Sequence, residues 1–273
     1  MIRKWASLAA AWWVLGAAAQ PTAPLSLWRL DCGSATIKDS NSFFSDTSAY
    51  PPGPRTVTDS CYLIRHGDLY MLWDAGLPDG LIGHPSDNPV MSMRVDAGLV
   101  AQLARIGVNS EQISLLGISH YHGDHIGQAY RFGGAKLLIG KGDWVALKSP
   151  DGPDAVPLAP WIRDGGKVEP VAGDLDVFGD GEVVMLSTPG HTPGHHSLLV
   201  RLASGPVILA GDLWHFNEQV AIDGVPPFNT DRAQTLASMD RIKRLAANIH
   251  AKVIIQHEPR DIARLPAFPQ AAQ

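Results

Sequence analysis

Only two cysteines, Cys32 and Cys61, occur among 273 residues. So few exclude a small disulfide-dense scaffold. Charge is also scarce, at 18% of residues against 45% hydrophobic, which excludes a disordered chain. Basic residues number 22 against 27 acidic ones, for a net charge of −5, and no run of five basic residues occurs. Neutralising phosphates needs clustered Lys and Arg, so no nucleic-acid partner is expected. Beyond the first twenty residues no segment reaches the roughly 20 apolar positions that a membrane span requires. Glycine (27) and proline (21) are plentiful but scattered. That distribution suits a loop-rich enzyme and not a low-complexity chain.

The first residues read as an address. Arg3 and Lys4 precede an apolar run over 5–19, which ends in Ala17-Ala18-Ala19. The run has the length of a signal-peptide core and the end suits signal peptidase. Cleavage near Ala19 is expected, giving a periplasmic or secreted protein with no membrane contact; an uncleaved anchor is the alternative. Residues 20–273 are expected to form one domain. Export would permit a Cys32–Cys61 disulfide, but spacing carries no geometry, and two buried free thiols are the expected reading.

Short runs rich in Val, Ile and Leu recur at 25–30, 61–65, 69–73, 113–119, 136–139, 182–187, 197–202, 207–210 and 252–256. Bounded by Gly, Pro or Asp, they predict strands. Apolar spacings of three and four predict helices over 93–106 and 230–247. Asn229-Thr230-Asp231 supplies capping chemistry to the second helix. Strands such as 207–210 are apolar throughout, which predicts sheets buried on both faces and covered by helices. Residues 34–60 lack periodicity and are expected to form a long ordered loop beside the site, with 149–160 as a second loop.

Chemistry concentrates at the ends of the predicted strands. Ser119-His120-Tyr121-His122-Gly123-Asp124-His125 packs three histidines and a carboxylate into one short stretch. In an extended stretch His120 and His122 face the same way, and Gly123 permits a turn that points Asp124 and His125 elsewhere. One metal for each pair is the natural reading. Thr188-Pro189-Gly190-His191-Thr192-Pro193-Gly194-His195-His196 follows another strand, Ala210-Gly211-Asp212 a third and Gln256-His257 the last. Strand C-termini are where α/β enzymes assemble sites.

In this order His120-x-His122-x-Asp124-His125, His191, Asp212 and His257 resemble the metallo-β-lactamase superfamily, over nearly the whole mature chain and including Asp74-Ala75-Gly76. The resemblance implies an α/β fold of αββα type, two mixed sheets covered by helices. It also implies two divalent metal ions, zinc by default. His120, His122 and His191 would hold the first, Asp124, His125 and His257 the second, and Asp212 would bridge them. His195 and His196 would support the loop.

Within the superfamily the chain is most similar to the N-acyl homoserine lactonases, through Cys61-Tyr62-Leu63-Ile64, Asp74-Ala75-Gly76-Leu77-Pro78, the His191 loop and the segment from Pro226 to about Ala247. This implies hydrolysis of a small substrate that carries an acyl chain, the quenching of a quorum signal. A metal pair roughly 3.5–4 Å apart would make hydroxide available near neutral pH. Asp124 would shuttle the proton to the leaving group. Several lactonases carry a tyrosine three residues after the bridging aspartate, in contact with the substrate carbonyl. This chain has His215 there, a residue able to donate the same hydrogen bond. Trp28, Phe43, Phe44, Met91 and Met93 are candidate pocket residues.

Exported organophosphate hydrolases of the same fold are the main alternative. Metallo-β-lactamases fit less well, because both cysteines precede the first motif and because Asp212 is present. Glyoxalase II enzymes would need an added helical domain. A metal-binding protein without turnover is the non-catalytic alternative. The sequence is compatible with a homodimer.

Overall fold

A computed structural model describes residues 25–153 and 155–273. The signal peptide expected over 1–19 lies outside the described residues. Among the described residues thirteen strands form two sheets. They are β1 (Leu25–Ile37), β2 (Arg55–His66), β3 (Leu69–Trp73), β4 (Ser86–Asp87), β5 (Met91–Arg94), β6 (Ile113–Ile118), β7 (Lys136–Gly140), β8 (Val168–Val171), β9 (Leu175–Asp176), β10 (Val183–Ser187), β11 (His196–Leu202), β12 (Gly205–Leu209) and β13 (Lys252–Ile254). The larger sheet runs β4-β5-β1-β2-β3-β6-β7-β8 and the smaller β13-β12-β11-β10-β9. Both are mixed: β2 pairs antiparallel with β3 while β3, β6, β7 and β8 run parallel, and β12 pairs parallel with β13 alone. All nine expected strands are present.

Alternation along these strands builds three apolar layers. Tyr62, Ile64 and Leu138 face Leu198, Val200, Val207 and Leu209 across the sheets. Their neighbours Leu63, Leu137 and Ile139 point outward against Leu99, Leu103, Phe132 and Trp161. On the other outer face Leu199 and Ile208 meet Met239, Ile242 and Ala246 of the long helix. Strands with both faces buried need apolar residues at every position, which explains the continuous runs. The product is an αββα sandwich. Its helices are α1 (Ser40–Phe44), α2 (Leu99–Arg105), α3 (Gly123–Ile126), α4 (Lys141–Leu147), α5 (Ala159–Ile162), α6 (Asn217–Ile222) and α7 (Arg232–Ile249). Among the described residues no helix is long and apolar enough to cross a membrane.

Several expectations need correction. The helix expected over 93–106 is two elements: Met93 lies in β5 opposite Ala35, and α2 starts only after Gly98. Strand and helix share one buried face there, with Val95 and Leu99 both inside, so the apolar spacing ran across the break. The loop expected over 34–60 is mostly ordered structure. β1 continues to Ile37, paired with the Arg55 end of β2, and α1 follows with Asp39 as its cap. Ser34, Thr36, Thr56 and Thr58 alternate there with Ala35, Ile37 and Val57, a pattern too short and too weakly apolar to stand out as a strand. The end of the loop expected over 149–160 is helical instead, with a single turn over Val156–Leu158 and α5 from Ala159.

The expected free thiols are instead a disulfide, Cys32–Cys61, with Cα atoms 5.8 Å apart. Pairing of β1 with β2 steps from Asp31↔Ser60 to Gly33↔Asp59, so Cys32 is the extra residue of a bulge. Gly76, with φ of 64°, lies against that bridge; a Cβ there would stand 2.5 Å from the Cys32 Cβ.

Candidate metal centre and pocket

Five strands deliver the site from their C-terminal ends. Asp74 follows β3, His120 follows β6, His191 follows β10, Asp212 follows β12 and His257 follows β13. His122 caps α3, whose first turn carries Asp124. Gly211 makes the turn into Asp212 with φ of 58°, and a Cβ there would lie 2.7 Å from His195 Nε2. Only glycine suits that backbone and that approach.

All seven candidate ligands converge. His191 Nε2 lies 3.1 Å from His120 Nε2 and 2.9 Å from His122 Nδ1, and the latter two are 2.9 Å apart. Asp212 Oδ2 lies 3.4 Å from His191 Nε2 and 3.7 Å from His120 Nε2. The other oxygen, Oδ1, is 3.1 Å from His125 Nε2 and 2.9 Å from His257 Nε2. Asp124 Oδ2 completes this second group at 3.9 Å and 3.7 Å from the same two nitrogens. One carboxylate thus offers an oxygen to each of two clusters.

The donor set fits divalent metal ions. Tetrahedral zinc with nitrogen ligands at about 2.0–2.1 Å holds those nitrogens roughly 3.3 Å apart, close to the spacing of the three histidines. His125 Nε2 and Asp212 Oδ1 are buried with no hydrogen-bond partner. Native interiors rarely leave such atoms orphaned, and a cation beside them would satisfy both.

Outer contacts orient the rings of His125, His191 and His257. His125 Nδ1 lies 3.0 Å from Asp74 Oδ2, while Ser119 donates to Asp74 from its backbone N–H (2.7 Å) and hydroxyl (2.8 Å). Asp74 itself sits at φ of 59°, a left-handed conformation that non-glycine residues adopt at some cost and often beside functional sites. His191 Nδ1 is 2.9 Å from Asn229 Oδ1, and His257 Nδ1 is 2.7 Å from the Thr58 carbonyl oxygen. Partners of this kind set which nitrogen is free to bind a metal. His195 accepts from the Asp212 N–H at 3.0 Å, and burial pushes its ring down to about 3, so it stays neutral. Both nitrogens of His196 face backbone carbonyls. These two histidines support the loop.

The two clusters differ electrically. Burial holds His120, His122 and His191 below the usual histidine range. Burial opposes the charged form of His125 and His257 too, but the nearby carboxylates, Asp212 foremost, outweigh it. His125 stands well above the ordinary value and His257 is raised to about 9. Burial likewise works against the Asp212 anion, and the surrounding His257, His125, His215 and His120 overcome it.

A cavity of about 550 Å³ opens on this centre. Ile37, Phe43, Phe44, Met91, Met93 and Phe228 wall it, and Asp124, Asp212, His215 and His257 lie at its floor. Trp28 does not line it: that side chain packs on the helix-covered core and donates to the Pro269 carbonyl. Sequence reasoning missed Asp59, a pocket-lining carboxyl that burial raises to about 7 and that accepts from the Leu77 N–H. It also read Asn229 as part of the helix cap. Asp231 caps α7, and Asn229 instead holds His191. His215 Nε2 lies 3.2 Å from Asp212 Oδ2, with the ring between Phe44 and Phe228.

Residues 55–257 match the model of the metallo-beta-lactamase superfamily, and the chain belongs to that superfamily, as a metal-dependent hydrolase. Within it the chain is similar to the N-acyl homoserine lactonases. It is 30% identical to the N-acyl homoserine lactonase AttM of Azorhizobium caulinodans, over 72% of this chain and 81% of that one. It is 26% identical to an N-acyl homoserine lactonase of Bacillus cereus, over 77% and 85%. In structure it matches a variant of the B. thuringiensis protein AiiA, solved with N-decanoyl-L-homoserine bound, with a TM-score of 0.78 and 22% identity. That match covers 92% of this chain and all (100%) of that one, and it shows the shared fold.

Proposed function

We propose that this protein opens the lactone ring of N-acyl homoserine lactones to give N-acyl homoserines, using two divalent ions, zinc by default, and that it does so after export. The observation that carries the reading is the apolar cavity ending on the bridging carboxylate, which offers an acyl chain a dry channel and a ring its hydrolytic centre. Kinship with proteins named as lactonases supports it.

His120, His122 and His191 would hold the first ion with Asp212 Oδ2, and Asp124, His125 and His257 the second with Asp212 Oδ1. When bound, such a pair supplies Lewis acidity toward a carbonyl and activates water near neutral pH. The remaining work falls to the chain. Phe43, Phe44, Met91, Met93 and Phe228 bind the acyl chain and exclude water. Each buried methylene contributes roughly 0.8 kcal/mol. Asp124, with 38% of its side chain exposed at the pocket floor, moves a proton to the leaving ring oxygen. His215, above Asp212, meets the substrate complex.

The test is kcat/KM for lactones of graded chain length, a phosphotriester and a β-lactam under identical metal loading. Lactones should win, and longer chains should win among them until the cavity fills. A phosphotriester or β-lactam ahead of the best lactone by about tenfold overturns the reading. Intact mass of periplasmic protein should show a chain that begins near Gln20; full-length protein held in the membrane fraction would overturn the export proposal.

A further inference from the structure

The three histidines of the first cluster come from two different sheets. His120 and His122 follow β6 of the larger sheet, and His191 follows β10 of the smaller. A hydrogen bond joins the two stretches at their roots, from the His196 N–H to the Ser119 carbonyl at 2.9 Å. Farther out, the distance between the His191 loop and its partners needs a second tie. Asp143 lies there, in the first turn of α4, which follows β7 directly and so rides on the larger sheet.

The Asp143 side chain is fully buried and reaches the loop of the smaller sheet. Its Oδ1 accepts from the Gly194 N–H at 2.6 Å, and its Oδ2 accepts from the Thr192 hydroxyl at 2.9 Å. The Tyr121 N–H, between His120 and His122, turns toward the same carboxyl and favours its charged form. One side chain thus bears on the residue after His191 and on the residue between the other two histidines. The approach is tight: a Cβ at Gly140 or Gly142, at the start of α4, would collide with the backbone of Pro193 and Gly194. Only glycine suits a contact that close. Burial raises Asp143 to about 7, its donors are all neutral, and a carboxyl so placed costs stability.

We propose that Asp143 is a positioning residue for the first metal ion, a clamp that holds the His191 loop against the His120–His122 turn so that their three nitrogens stand at ligand spacing. An ion then binds without having to order the two loops, and ordering on binding subtracts from affinity. Asp143 is not among the residues that line the cavity, so it acts through the loops and not on the substrate.

The experiment is cobalt titration of the metal-free protein at pH 8, read by visible absorption, which is intense for a four-coordinate ion and weak for a six-coordinate one. Asp143→Ala should weaken the first cobalt ion bound about a hundredfold and dim its band, the upper range for losing a group that orients metal ligands. Asp143→Asn should stay within about threefold of wild type, because its amide oxygen can face Gly194 while the Thr192 hydroxyl turns to accept from its nitrogen. Leu103→Ala, a cavity in the outer core, controls for general loss of stability; it should lower Tm and leave cobalt binding as in wild type. If Asp143→Ala fails to fold, Thr192→Val, which removes one of the two donors, is read in its place and should weaken that ion about tenfold. A variant read in this way that binds and colours cobalt like wild type overturns the proposal, as does Leu103→Ala losing cobalt equally. Asp143→Asn as weak as Asp143→Ala also overturns it, since charge and not the hold on the loops would then be the cause. The inference rests on the proposed first ion and not on lactone opening. Wild-type protein that binds no cobalt counts against that ion, whereas tight binding in wild type and in Asp143→Ala alike counts against the role of Asp143 alone.

Discussion

The two halves of the metal centre are built from similar residues and behave differently. His120, His122 and His191 sit together, buried and held neutral, with one carboxylate oxygen nearby. His125 and His257 sit among Asp74, Asp124 and Asp212 and are held protonated in the metal-free protein. A metal ion binds a bare imidazole nitrogen and must expel any proton found there. The first half is ready at neutral pH, and the second must give up protons. Ligand identity therefore does not set metal affinity by itself. The carboxylates around a histidine decide what the ion competes with.

The largest break in this comparison is at the residue the halves share. Asp212→Ala should empty both and lower activity by about a thousandfold or more, since a bridging carboxylate offsets charge between two cations. Metal analysis that finds one ion per chain in a fully active protein would sink the two-ion reading. A pH titration of zinc binding sharpens the contrast. With the His257 pKa raised to about 9 and that of His125 held well above the ordinary histidine value by the carboxylates around it, filling the second half near neutral pH displaces two protons. Its affinity should fall about a hundredfold for each pH unit lowered. The first half, with its histidines already neutral, should change little between pH 7 and 8. Calorimetry in two buffers of different ionisation enthalpy counts the protons; equal release at both steps would contradict the electrostatic picture.

Smaller effects distinguish residues near the ions from those that hold them. His215→Ala should lower kcat by about 10–100-fold, the loss of one oriented hydrogen bond, and leave metal content intact. If a metal is lost instead, His215 is a ligand. Phe44→Ala or Phe228→Ala should cut the preference for long over short acyl chains about 5–20-fold at unchanged metal content, from the apolar area removed. Unchanged chain preference would place the acyl group elsewhere.

What could be read in advance divides along physical lines. The seven candidate ligands were legible because each is a chemically distinctive residue at or just beyond the end of an apolar run, and the runs became β6, β10, β12 and β13. The central strands were legible because they are buried on both faces. The far half of β1 and the strands β4, β5, β8 and β9 were not, because each is only two to four paired residues long and carries at most two apolar side chains, too few for a pattern to show. The contacts that orient the ligands were legible only in part. The carbonyl of Thr58 on His257 leaves no trace in residue identity, and Asn229 looked like a cap because cap residues and ring-holding residues are the same types. Four of five candidate pocket residues line the cavity. Trp28 does not, because an amphipathic strand says which residues are buried but not under which layer.

The disulfide at the bulge has one more consequence. A strand pair can slide by a residue, and each slide turns every side chain to the opposite face. In β1, Ala35 and Ile37 line the cavity; a one-residue slip would present Ser34 and Thr36 in their place and make a greasy wall polar. Cys32 is the residue that has no partner across the ladder, and its bond to Cys61 nails that gap to one position. The bond thus works as a stop against sliding, and keeps the character of a wall some residues away.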